Sequence, residues 1–297
     1  TFLAFQLIPG DITDRRCPLD CPPEVKEALR EKYGLNRPWY EQYGDWLFGV
    51  LQGDLGTSMN EGELVVGPQL RHRLPITFEL MIMSLVLALL LGVPPGILSA
   101  ARPGTVLDWL ARLFSILGLS VPSFYLGVLI ITFGYLWFGW SPPQFGEAYV
   151  PITQDPWVNF QQFFAPSLVL ALGISAVIMR LTRSSLLEVL RQDYIRTAWS
   201  KGLRERTIVT RHALKNAFIP VVTMVGLQVG ALMGGTVIVE YVFALNGVGY
   251  YLYDSILARD FIVVQSLVLV IAAVYVLSSL AVVDVTYAWL NPRIRYA

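Results

Sequence analysis

Two cysteines, two histidines and a few carboxylates set in apolar stretches are the residues whose types could do chemistry in this chain. Cys17 and Cys21, spaced Cys-Pro-Leu-Asp-Cys, could close a small disulfide loop in an oxidising compartment, or be two unrelated thiols. With no histidine near them they fall short of the four ligands a structural metal site uses, so no metal is expected. His72 and His212 stand alone and read as surface histidines. Glu79, Glu240 and Asp284 lie in or beside apolar stretches, where an ionisable group is costly and often functional. All three sit near expected helix ends, where water or a neighbouring arginine could satisfy them. Glu240 is the candidate for a pathway or gating role, whereas Asp284 reads as structural, near Arg293. No Ser/His/Asp arrangement, paired catalytic carboxylates or Gly-x-x-x-x-Gly-Lys-[Ser/Thr] phosphate loop occurs. The sequence therefore predicts no catalytic residue and no cofactor of the chain's own.

The elements that carry these residues belong in a membrane. Of 297 residues, 55% are hydrophobic and 15% charged, with a mean hydropathy of +0.54; a soluble domain carries about 25% charged residues. The formal net charge is zero, which gives no basic excess for nucleic acid. Spans of about 20 apolar residues cross a bilayer. Five stretches are that long, at 74–98, 107–138, 164–181, 216–239 and Phe261–Leu290. The apolar run 2–8, stopped by Pro9-Gly10-Asp11, reads as the tail of a first span, and Thr1 in place of methionine suggests that more precedes it. The expectation is an all-α polytopic membrane protein of six transmembrane helices, folded as a single domain over 1–297 without internal repeats.

Basic residues orient the spans. Residues 182–215 hold eight basic and three acidic residues, while 141–162 hold none that are basic and 242–260 hold one, Arg259. Arg102, Arg293 and Arg295 add to the first group. The short connection 99–106, the segment 182–215 and both termini are thus expected in the cytoplasm, and the polar stretch 10–73 outside. That stretch contains an expected surface helix at 24–33, and then Trp39, Tyr40, Tyr43 and Trp46. Such an aromatic group suits either the membrane–water interface or a small extramembrane core.

Residues 182–215 are too polar to be embedded and too rich in helix formers for a passive loop. Leu186, Leu187, Leu190, Ile195 and Ala198 keep helical spacing, Gly202 interrupts, and a second helical stretch follows at 204–217. Glycine at a helix end takes the left-handed conformation that turns the chain back. A small Ala198 would let a partner surface approach that helix closely. The product is a short amphipathic helix slung between two spans, the form needed to pass a push from a soluble partner into the membrane. Farther on, Gly226, Gly230 and Gly234 recur every four residues, a spacing that permits close helix approach. They could pack within the chain or line a seam with a second subunit. Pro94-Pro95 predicts a bend in the second span.

Residues 193–202 (DYIRTAWSKG), continuing to 212–220 (HALKNAFIP), resemble the coupling-loop signature of ABC importer permeases of the binding-protein-dependent class. The B-type permeases of dipeptide, oligopeptide and nickel importers are the most similar subgroup. Residues 7–11 (LIPGD), 53–58 (GDLGTS), 74–80 (LPITFEL), 121–126 (VPSFYL), 235–241 (GTVIVEY), 247–249 and 284–295 (DVTYAWLNPRIR) also fit it, in order along nearly the whole chain. Departures exist: Arg196, Thr197 and Ala198 replace Glu-Ala-Ala, only Leu214 of a later Ile-x-Leu-Pro matches, and Asn246 stands where proline is usual. The resemblance implies that Asp193, Tyr194, Arg196, Thr197, Ala198, Lys201 and Gly202 couple the chain to a cytoplasmic ATPase subunit. It implies a homologous second permease, two ATPase subunits that bind ATP and magnesium, and an external substrate-binding protein, in a prokaryotic inner membrane. Peptides are the implied cargo, with a nickel chelate or another small solute as the alternative. A stand-alone secondary transporter would predict paired intramembrane charges and inverted repeats, which are not evident, and a membrane enzyme lacks its constellation.

Overall fold

The structure, a computed structural model, describes residue 2 and residues 22–59, 64–143 and 149–290, the side chains of residues 279 and 281–290 lying outside the description. The rest of the expected first span, the Cys17–Cys21 pair, the Asp284 side chain and its proposed neighbour Arg293 fall outside the description.

Ten helices follow one another in these segments: α1 (Pro23–Lys32), α2 (Trp39–Leu51), α3 (Val66–Ala101), α4 (Val106–Ser120), α5 (Ser123–Phe138), α6 (Pro156–Leu190), α7 (Asp193–Ser200), α8 (Glu205–Val242), α9 (Val248–Leu257) and α10 (Phe261–Leu290). Four of them, α3, α6, α8 and α10, are long and apolar enough to cross a membrane, and α4 with α5 makes a fifth if that bent pair is one span. The five long stretches expected from sequence are therefore present. Two of them differ in form.

First, the helices outrun their apolar cores. Helix α3 has 36 residues, about 54 Å at 1.5 Å per residue, against a hydrocarbon thickness of about 30 Å. Its first two turns, with Gln69, Arg71, His72 and Arg73, were expected in the polar connection 10–73; they remain helical because the backbone ladder continues into water. Second, 107–138 is not one straight helix. It breaks at Val121-Pro122 and turns through 97°. Pro122 lacks an N–H and pushes Val121 to extended backbone (φ −99°, ψ 121°), so the ladder stops there. Conversely, α3 continues as helix through Pro75, Pro94 and Pro95.

Helix α6 is the central post, and α3 packs along it more extensively than any other pair of helices. Gly92 and Gly96 make this possible. A Cβ on either would lie 2.8 Å from a backbone carbonyl of α6, at Ser175 and Met179 respectively. The spacing Gly-x-x-x-Gly is the small-residue signal for close helix approach, and it spans the Pro94-Pro95 pair. Gly118 of α4 meets the same helix, 3.1 Å from the Leu172 carbonyl. One apolar cluster, including Leu80, Phe163, Val169, Leu232 and Phe243, fills the space between α3, α6 and α8. Large apolar side chains elsewhere face outward, among them Ile82, Leu90, Trp137 and Phe138. An exposed apolar girdle of that extent is what lipid covers.

At one end of the bundle a short hairpin (Thr57 paired with Val65) lies against α10, where Ser266 Oγ donates to the Leu55 carbonyl at 2.7 Å and accepts from Trp46 Nε1 of α2 at 3.5 Å. Asp260 holds the hairpin: its carboxylate accepts from Ser58 Oγ at 2.6 Å and Met59 N–H at 2.9 Å. At the other end lies α7.

Candidate functional site

Helix α7 is anchored by two side chains and exposed elsewhere. Ile195 is fully buried and Ala198 nearly so, in a cluster with Ala100 of α3, Leu186 of α6, and Ile208, Val209, Ala213 and Ala217 of α8. This corrects the expected use of Ala198. Its small side chain fits against the chain's own helices and is not an open surface for a partner. Asp193, Tyr194, Arg196, Thr197, Trp199 and Lys201 are exposed. Gly202 takes the left-handed conformation expected of it, with φ +71°. Its N–H donates to the Trp199 carbonyl at 2.9 Å and the Leu203 N–H to that of Ala198 at 3.4 Å, a Schellman turn that ends α7.

The following stretch enters α8 through a π-helical segment, Ile208–Ala213, where sequence reasoning expected plain helix. π-turns add a residue to the turn and are frequent at functional sites. Tyr194 bridges α7 to this segment: its hydroxyl donates to the His212 carbonyl at 3.5 Å and accepts from Asn216 Nδ2 at 2.9 Å. His212 is thus held in the joint through its backbone, and its half-buried ring has no metal-ligand group around it among the described residues.

Next to this cluster sits a buried carboxylate that sequence reasoning missed. Asp108 is 1% exposed. Its Oδ1 accepts from Ser99 Oγ at 2.5 Å and Arg183 Nε at 2.7 Å. Its Oδ2 accepts from Arg183 Nη2 at 3.1 Å, Arg112 Nη2 at 3.1 Å and the Gly104 N–H at 3.0 Å. The knot ties the end of α3, the turn 102–105, the start of α4 and the body of α6 beside α7. A signal existed: Thr105-Val-Leu-Asp108 matches the helix-capping pattern, and Thr105 does accept from the Asp108 N–H at 3.4 Å.

A second buried carboxyl lies at the opposite end. Glu240 is fully buried near the end of α8. Thr77 Oγ1 donates to its Oε1 at 2.8 Å and the Tyr250 N–H to its Oε2 at 2.9 Å, while Thr77 Oγ1 accepts from the Val248 N–H at 2.9 Å. No arginine pairs with this group among the described residues; hydroxyls and backbone amides, including that of Gly249, satisfy it. Gly247 and Gly249 leave the room, since a Cβ on them would come 2.5 and 3.0 Å from Glu240 Oε2. Asn246 shapes the same turn by accepting from Arg73 Nη1. Glu79, two residues beyond Thr77 on α3, accepts from the Tyr149 hydroxyl at 2.9 Å. Burial, and then that carboxylate, push the Tyr149 phenol up to about 12.

The three glycines of α8 divide. Gly226 and Gly230 are buried, and Gly230 lies where a Cβ would strike the Tyr275 ring of α10 at 2.5 Å. Gly234 is open, with nothing within 4 Å of its Cβ position. With Leu227, Ala231, Ile238 and Tyr241 it forms an exposed stripe along α8.

Comparison with known proteins gives a consistent assignment. Residues 92–296 match the family model described as binding-protein-dependent transport system inner membrane component, and residues 1–81 match the N-terminal model of the same systems. The oligopeptide transport system permease protein AppB of Bacillus subtilis is 37% identical over 300 residues, covering all of this chain and 93% of AppB. The glutathione transport system permease protein GsiC of Escherichia coli K12 is 38% identical over 99% of this chain and 92% of its own length. Among solved structures, the inward-facing MetNI methionine ABC transporter superposes with a TM-score of 0.58 at 19% identity, covering 74% of this chain and 95% of that one.

Proposed function

The chain belongs to the family of inner-membrane components of binding-protein-dependent transport systems, and from that premise we propose that it forms half of the translocation pathway of an ATP-driven importer for small peptides. AppB and GsiC, named for oligopeptides and glutathione, support this cargo. The other half is a homologous permease. Two ATPase subunits bind ATP and magnesium on the cytoplasmic side, where α7 and both termini lie, and a binding protein delivers substrate at the opposite face.

The observation that carries the reading is α7 itself. It is fastened to three helices through Ile195 and Ala198, and its remaining side chains face away from the bundle. A partner that grips Asp193, Tyr194, Arg196, Thr197 and Lys201 moves the ends of α3, α6 and α8 with it. The helix supplies no energy. It converts a soluble conformational change into a shift between outward-open and inward-open populations.

The test uses the whole transporter in proteoliposomes. The double charge reversal Arg196→Glu/Lys201→Glu should lower ATP-driven uptake of a labelled dipeptide by roughly tenfold, while thermal unfolding stays within about 0.5 kcal/mol because both groups are exposed. Uptake that survives unchanged would sink the coupling assignment.

A further inference from the structure

The end of the bundle away from α7 contains a cavity of about 500 Å³, lined by Gln69, His72 and Arg73 of α3, Tyr149, Gln162, and the turn at Ala244–Asn246 with Tyr250. Arg73 donates Nη1 to the Asn246 carboxamide and lies over the Tyr251 ring at 4.4 Å, both uncharged partners. Its Nε is buried without a hydrogen-bond acceptor. Among the described residues no carboxylate lies within ion-pair distance of it. The nearby acid, Glu79, accepts from the Tyr149 hydroxyl through Oε2 and lies outside ion-pair distance of Arg73. A guanidinium fixed by a ring face and an amide at the wall of a cavity is a receptor for a planar anion.

We propose that this cavity is a carboxylate subsite, and that Arg73 binds the C-terminal carboxylate of a peptide in transit. The inference rests on the peptide reading above and sharpens it. The Arg73 guanidinium attracts the carboxylate and supplies N–H donors to it, and the Gln69 and Gln162 side chains line the space beside it. The cavity volume suits a short peptide, within the range of about 300–1,000 Å³ typical of small-ligand sites. No bond is made or broken, so the subsite selects and orients only. A peptide whose terminus is amidated loses the charge and binds worse.

Thiol labelling in the assembled transporter tests this without depending on transport. In a Cys17→Ser/Cys21→Ser background, Gln69→Cys places a reporter in the cavity. An anionic methanethiosulfonate (sulfonatoethyl) should react faster relative to the cationic trimethylammonioethyl reagent with Arg73 than with Arg73→Gln. The ratio should change by about tenfold, as expected for one charge at this range, and Arg73→Lys should restore it in part. Millimolar dialanine should slow the labelling, and alanyl-alaninamide should not. A reagent ratio unchanged by Arg73→Gln would overturn the proposal, and so would equal protection by the two peptides, which holds even if Arg73→Gln proved unstable. So would protection by the unliganded binding protein but not by dialanine, since the carboxylate would then belong to a docked protein. Dialanine uptake is measured in parallel. Uptake without charge selectivity removes the subsite alone, whereas selectivity and protection without uptake support the subsite and remove the importer reading.

Discussion

Two of the carboxyl groups buried among the described residues lie at opposite ends of the molecule and are held differently. Asp108, beside α7, is held by two arginines, a serine and a backbone amide that join three helices. Glu240, at the far end, is held only by uncharged groups, the Thr77 and Thr236 hydroxyls and the Gly249 and Tyr250 backbone amides, with no cation within ion-pair distance among the described residues. A charged pair taken out of water is stable only when both members stay together, and removing one leaves the other stranded. The Asp108 knot is therefore a rigid joint. Neutral hydrogen bonds each contribute about 1 kcal/mol net, and they can be exchanged for water, so the Glu240 clasp can open more cheaply. On the proposed function, the locked end is the one that takes the ATPase's push and the latched end the one that admits the solute.

The largest effect expected is at the lock. Asp108→Ala strands Arg183 and should destabilise the fold by about 3–5 kcal/mol, seen as loss of monodisperse protein and a lower melting temperature in detergent. An equal loss in Glu240→Gln would break the contrast between the two ends. Glu240→Gln keeps the shape but sets an amide N–H₂ against a backbone donor or strips Thr77 of its acceptor, and about 1–3 kcal/mol should follow. Gly96→Leu forces α3 off the Met179 carbonyl and should cost a similar amount, about 1–3 kcal/mol. It would show whether the lock survives when the helices it joins are spread. Tyr194→Phe removes a bridge near the lock that is open to water. Its stability cost should be near 0.5–1.5 kcal/mol, with transport falling more than stability. The smallest effect is spectroscopic. Tyr149 should ionise near pH 12 where a free phenol ionises near 10, read as the difference in ultraviolet titration between the protein and Tyr149→Phe. Because the folded state raises this pKa, the contribution is whole below pH 10 and fades as pH passes 12.

Much of the architecture was legible because lipid imposes a simple rule. Apolar runs such as Phe261–Leu290 coincide with a helix of the same bounds. The break inside 107–138 was legible in principle at Pro122, but hydropathy does not see a missing N–H when apolar residues continue on both sides. Gly202 was legible because a left-handed turn leaves few residues to choose from. Ala198 was not: a small residue means close approach, but whether its neighbour is a partner or the same chain depends on how α3, α6 and α8 converge on it. Asp108 was hidden for the same reason, since its partner Arg183 lies 75 residues away.

The sequence by itself determined that this chain lives in a membrane, where its polar loops fall, and which short helix stands out between two spans. Those properties follow from local composition and from the bilayer's refusal of unpaired polar groups. Only the tertiary structure decided which carboxyl is locked, which is latched, and which arginine has no anion in reach among the described residues. Burial and pairing at Asp108, Glu240 and Arg73 are set by residues far apart in the chain, and no local pattern encodes the distance between them.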